Sequence, residues 1–172
     1  MAKECCTPGG NIMILACSGG SNVGQLSNQA AVELTQEGFG KMFCLAGIGG
    51  RVEGILQKTK AASRVLTIDG CPLDCAKKSL EQVGIRNFAY MRVTDLGLEK
   101  GASPATDENV GKVASAATVV AHGDRKRRKR REDRLHVAVE AALRFLVAGV
   151  PVEAQLHFQI MAVDGFGQLN MR

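Results

Sequence analysis

Short apolar runs alternate with longer stretches of helical spacing over residues 11–93. The runs NIMILAC (11–17), GKMFCLA (40–46), RVLTID (64–69) and NFAYMRV (87–93) have the length and β-richness of strands buried on both faces. Between them the apolar period lengthens. Residues 25–38 set Leu26, Ala30, Ala31 and Leu34 on one stripe and end at Gly38, a suitable helix stop. Residues 52–63 repeat the pattern with Val52, Ile55, Leu56 and Thr59. Residues 72–84 open on Pro72 and close on Gly84, the asymmetry expected of helix ends. A fourth, weaker helical pattern covers 107–121.

Strands and helices that alternate through short connections imply right-handed crossovers. The predicted fold class is therefore α/β, three-layer, with a mostly parallel four-stranded sheet (Rossmann-like). Ligands of such sheets bind beyond the carboxyl ends of the strands, where strand order reverses. A strand order of 2-1-3-4 would flank the strand ending in Cys17 with those leading to Cys44 and Cys71.

Beyond residue 121 the pattern changes. Residues 122–134 are expected as a basic linker, and 135–172 as a helix–strand tail. In that tail Leu135, Val139, Ala142, Leu143 and Leu146 share a helical stripe, and Val152, Ala154, Leu156, Phe158 and Ile160 alternate with period two. Residues 1–10 are expected as a flexible N-terminal arm, leaving 11–121 as the metal-binding α/β domain.

Charge and composition narrow the function. The net charge of +5 comes wholly from residues 122–134, which hold eight Lys/Arg and three Asp/Glu. The domain itself has no basic footprint, and the chain has no Trp and one Tyr, which argues against a nucleic-acid partner. The basic run Arg125–Arg131 reads first as a solvated segment, and only then as a polyanion site. No apolar run approaches the ~20 residues of a membrane span. MAKECCTPGG lacks the apolar core of a signal peptide. A cytoplasmic, reducing setting is expected, where six cysteines read as ligands or redox groups before disulfides.

Four of those cysteines follow the predicted strands. Cys17 ends the first run, Cys44 lies near the end of the second, and Cys71 and Cys75 follow the third at a spacing that shares one helix face. Neighbouring strands lie ~4.8 Å apart, and sulfurs around zinc roughly 3.8 Å apart, so thiols at adjacent strand ends can converge. Either Cys17 or Cys44 taken alone could be a small buried apolar residue. Together with Cys71 and Cys75 they form a candidate metal site, with a metal ion as the expected partner. Zinc is the expected cofactor, and an iron–sulfur cluster is the alternative that the same donors allow.

The loop after Cys17 is a candidate support for those ligands or a cradle for an anion. Its residues are Ser18, Gly19, Gly20, Ser21, Asn22 and Gly24. Gly19 and Gly24 have the spacing of a nucleotide phosphate loop, but Gln25 and Leu26 stand where Lys and Ser/Thr would be needed. Val23 stands where a phosphatase-type cysteine loop would need arginine. Asp69 and Asp74 bracket Cys71 as further supporting groups. Their plainer roles are a turn cap for Asp69 and a first-helical-turn charge for Asp74. Cys5 and Cys6 are candidate auxiliary thiols on the arm, or an exposed pair without a fixed partner.

The segments CSGGSNVGQLSNQAA, CLAGIGG and IDGCPLDCAKKSLE, in that order, resemble the DGC domain family, small bacterial and archaeal proteins named for the triplet found here as Asp69-Gly70-Cys71. The resemblance spans roughly residues 10–115. It implies zinc held by four cysteines, which match Cys17, Cys44, Cys71 and Cys75. A closed shell of four thiolates leaves no vacancy for water, so metal sensing, storage or delivery is expected before hydrolysis. The alternative from another class is a thiol redox or sulfur-transfer enzyme with Cys17 as nucleophile and Cys71 or Cys75 resolving it. An iron–sulfur electron carrier is third.

Overall fold

The computed structural model describes residues 12–147. The expected arm at 1–10, with Cys5 and Cys6, and the alternating run at 152–160 lie outside the described residues. The chain divides into two compact units between Asp124 and Arg125.

The first unit holds β1 (Ile12–Ala16), α1 (Asn22–Gln36), β2 (Lys41–Met42), α2 (Leu45–Gly49), α3 (Glu53–Ala61), β3 (Arg64–Asp69), α4 (Cys75–Gln82) and β4 (Ala89–Arg92). A 3₁₀ turn at Val93–Leu96 leads to α5 (Asp107–Val147). Every strand pair is parallel, in the order β2-β1-β3-β4. That is the arrangement the strand–helix alternation predicts.

Alternate residues of each strand face opposite sides. Ile12, Ile14 and Ala16 of β1 and Leu66 and Ile68 of β3 pack with Leu26, Ala30 and Leu34 of α1 and Val113 and Ala117 of α5. On the other side, Leu15 and Val65 pack with Ile48 of α2, Leu56 of α3 and Leu80 of α4. Helices thus cover both faces, which makes the three layers. Each fully buried Leu or Ile contributes about 1.5–3 kcal/mol by leaving water.

Four element boundaries differ from the sequence expectation. The second strand stops at Met42, and Cys44 becomes the N-cap of α2, its sulfur accepting the Gly47 N–H at 3.3 Å. α1 begins at Asn22 and not at residue 25, because the Ser21 hydroxyl accepts the Gly24 N–H at 3.3 Å and starts the helix early. α4 begins at Cys75 and not at Pro72, because Asp74 is in the left-handed region (φ 54°, ψ 44°) and breaks any earlier start. Finally, α5 runs through 122–134, so the basic run is helical. Arg and Lys are good helix formers, and Asp107 and Glu108 sit favourably in the first turn.

In the first unit Val110, Val113, Ala114, Ala117 and Ala121 of α5 are buried. In the second, Leu135, Val137, Val139 and Leu143 are exposed. No helix among the described residues is long and apolar enough to cross a membrane.

Candidate functional site

Strand register brings the thiols to one edge. Ala16 pairs with Ile68, so Cys17 and Asp69 leave adjacent strands at the same level, and the Cys17 N–H extends the ladder to the Ile68 carbonyl at 2.9 Å. Phe43, just past β2, donates its N–H to the Ile14 carbonyl at 2.8 Å and so delivers Cys44 beside β1.

Cys17, Cys44 and Cys75 line one cavity of about 520 Å³, together with Ser18, Gly19 and Ser79. Cys71 lies outside that lining and is buried, with the Lys100 ammonium 3.9 Å from its sulfur. All four thiols are free. Burial pushes the Cys75 thiol above its ordinary pKa, and the charges of Cys17, Asp69 and Cys71 push in the same direction. Among the described residues, no three His, Cys, Asp or Glu side chains stand close enough together to hold a metal ion as placed.

The loop after Cys17 spends its polar groups on itself and on a neighbouring loop. The Ser18 hydroxyl donates to Asn28 Oδ1 at 2.9 Å, and Gln25 Nε2 donates to the Gly19 carbonyl at 2.9 Å. Asn22 fastens the 99–103 loop, donating to the Glu99 carbonyl at 2.9 Å and to the Ser103 carbonyl, and accepting the Gly101 N–H at 2.7 Å. Lys100, the cation beside Cys71, is carried on this loop. Gly20 faces open space, whereas Gly19 lies against the Cys17 sulfur. Gly24 and Gly70 let backbones touch: a Cβ on Gly70 would lie 2.8 Å from the Gly24 nitrogen, and one on Gly24 would lie 2.9 Å from the Gly19 carbonyl oxygen. The glycine of the Asp-Gly-Cys triplet is therefore a packing requirement between the end of β3 and the start of α1.

Neither carboxylate is free to ligate. Asp69 is fully buried and accepts the Ala76 N–H at 2.8 Å and the Lys77 N–H at 3.0 Å, capping α4 from outside its own N-cap position. Burial raises its pKa, partly offset by those two N–H donors. Asp74 occupies the N-cap position but caps nothing. Its carboxylate takes the Tyr90 hydroxyl at 2.6 Å and the Arg92 guanidinium at 2.9 and 3.0 Å. Burial alone would raise its pKa, but the Tyr90 and Arg92 hydrogen bonds and the Arg92 charge outweigh it and hold the group below the ordinary carboxylate value.

Sequence reasoning missed Tyr90, Arg92 and Lys100. The alternation of β4 could have indicated that Tyr90 and Arg92 share a face, but their carboxylate partner is defined only by the parallel pairing of β3 and β4. A second cavity of about 520 Å³ lies at the opposite, amino edge of the sheet, lined by Met13, Phe43, Ala62, Lys41 and Lys58 among others, and holds none of the described thiols.

The family model described as the DGC domain matches residues 13–118, well over half the chain. A curated relative, the anaerobic and virulence modulator AnvM of Pseudomonas aeruginosa, is 35% identical over 88 residues, covering 51% of this chain and 67% of the relative. No solved structure matches. A parallel sheet with thiols gathered at its carboxyl edge, and a tight Asp-Gly-Cys turn packed on α1, accompany a family match across that whole domain: the chain belongs to the DGC domain family.

Proposed function

We propose that this protein is a thiolate metal-binding regulator that holds one zinc ion through Cys17, Cys44, Cys71 and Cys75. The observation that carries the reading is the shared cavity of Cys17, Cys44 and Cys75, which reach it from three separate segments of the chain. The donor chemistry fits, since four soft thiolates suit zinc and leave no place for a catalytic water. No three donors stand close enough as placed among the described residues, so closure requires the thiols to draw together, consistent with metal binding that completes its own site. A bound zinc would supply a redox-silent centre that organises the thiolates. The chain supplies the rest. The Gly47 N–H and the Lys100 ammonium offset thiolate charge at Cys44 and Cys71, and Asp69 fixes the start of α4. The printed description of the relative as a modulator supports regulation over hydrolysis, and a cytoplasmic, reducing setting keeps such thiols available.

A second reading, thiol redox or sulfur-transfer chemistry with Cys17 as nucleophile, is favoured by the free thiols of Cys17 and Cys75 lining one cavity. Elemental analysis and absorption spectra of the anaerobically purified full chain separate the readings. Zinc at about one per chain, lost in Cys17→Ser and in Cys75→Ser, is the expected result for a four-thiolate site. A metal-free chain with four reactive thiols would overturn it in favour of redox chemistry, and visible colour would indicate an iron–sulfur cluster.

A further inference from the structure

Cys75 is the first residue of α4, so its place depends on what holds that helix start. Two carboxylates do so from opposite sides. Asp69 grips the first N–H groups of α4 from the buried end of β3. Asp74 works from the other side and reaches across to β4, where Arg92 meets it with two donors and Tyr90 with a third. The Lys77 ammonium, 5.0 Å from the Tyr90 ring centroid, closes the group.

The backbone agrees with a role for the carboxylate. Asp74 holds a left-handed conformation that, among the described residues, it shares with Arg51 and with the glycines at 38, 84, 97 and 101. A turn that needed only this conformation would take glycine at less strain. At residue 74 the chain retains a side chain that can be anchored. The anchor lies on β4, a strand that carries no cysteine.

We propose that Asp74, gripped by Arg92 and Tyr90, is a positioning residue that sets where Cys75 stands relative to Cys17, and hence how tightly the thiol edge holds a thiophilic cation. This rests on the thiolate reading above. Arg92 and Tyr90 act through Asp74 and touch no thiol themselves.

The test uses the full chain with Asp74→Gly, which keeps the left-handed turn but removes the carboxylate, beside Tyr90→Phe and Asp74→Asn. Two probes are read together with thermal melting. Cadmium affinity is measured by competition with a chelator. Phenylarsine oxide, which forms two As–S bonds with neighbouring thiols and releases water without redox change, reports thiol spacing independently of any metal. The expected result is a loss of cadmium affinity of about 10- to 100-fold in Asp74→Gly, the usual cost of removing a group that orients ligands. Arsenical uptake falls in parallel, melting changes little because glycine relieves the left-handed strain as the ion pair is lost, and Tyr90→Phe and Asp74→Asn show smaller losses. Wild-type cadmium affinity and arsenical uptake in Asp74→Gly would overturn the proposal. If wild-type protein takes the arsenical but no cadmium, the metal reading fails, and the arsenical difference between wild type and Asp74→Gly still decides the positioning role. If Asp74→Gly melts early, Tyr90→Phe decides it by the same two probes.

Discussion

Replacing Gly70 by alanine puts a methyl group where the backbone of α1 already stands. The new Cβ would lie 2.8 Å from the Gly24 nitrogen and 2.9 Å from the carbonyl carbon and oxygen of Val23. All three atoms are backbone in the first turn of a helix whose own start is fixed by Ser21, and no side chain can rotate away. Gly24 cannot retreat either, because a Cβ there would already press on Gly19. Relief requires β3 and α1 to separate, opening the layer in which Val23, Leu26 and Ile68 are fully buried. Overpacking of this kind costs about 1–3 kcal/mol, and the absence of a flexible neighbour places Gly70→Ala at about 2–3 kcal/mol. For a chain of this size the melting temperature should fall by roughly 6–9 °C. Gly20→Ala is the matched control: it lies in the loop after β1 with nothing within 4 Å, and should change stability by less than about 0.5 kcal/mol. Urea unfolding of both variants at neutral pH, read by circular dichroism, gives the comparison. A Gly70→Ala variant as stable as Gly20→Ala would refute the claim that the triplet glycine is a contact requirement.

Two further outcomes follow from the geometry. Because the folded-state pKa of Asp74 is lowered, its ion pair contributes stability that is present above the ordinary carboxylate value and lost as pH falls through the folded value. Asp74→Asn should therefore cost about 1 kcal/mol at pH ~7 and progressively less as pH falls below the ordinary carboxylate value in urea titrations, and a cost independent of pH would contradict the assignment. Asn22→Ala releases the three main-chain contacts that fasten the 99–103 loop. Cleavage after Lys100 by a lysine-specific protease should accelerate at least several-fold without global unfolding, and an unchanged rate would mean the loop is held by other means.

The sheet and its thiol edge were legible because each rests on local pattern. β1 and β3 are apolar on both faces, so their runs marked them as strands whatever their partners were. Cys17 and the Asp69-Gly70-Cys71 triplet sit where those runs end. The strand leading to Cys44 was misjudged because apolarity continues from Met42 into Leu45 while the backbone turns, and the turn depends on a sulfur accepting an amide proton three residues on. Asp69 caps as expected, although it is the start of α4 that it caps, and Asp74 departs from its expected first-turn role for a similar reason. The residue at the N-cap position does not cap, because Arg92 and Tyr90 claim its carboxylate, and that competition exists only once β4 has paired with β3. The helical state of the basic run was not legible from its charge pattern, because seven like charges repel, yet helix propensity carries α5 through them.

The order in which the chain leaves the ribosome gives the parallel sheet a further meaning. Cys17 and Cys75 are separated by two complete strand–helix crossovers, so a nascent or unfolded chain holds its focal thiols far apart. They meet only after β3 has inserted beside β1. A thiol pair drawn from distant segments, such as Cys17 and Cys75, is not presented together to soft cations until the core exists. A contiguous cysteine cluster would offer itself from the first moments of synthesis. Non-local pairing slows folding, but here it makes correct tertiary structure the condition for presenting the thiols together.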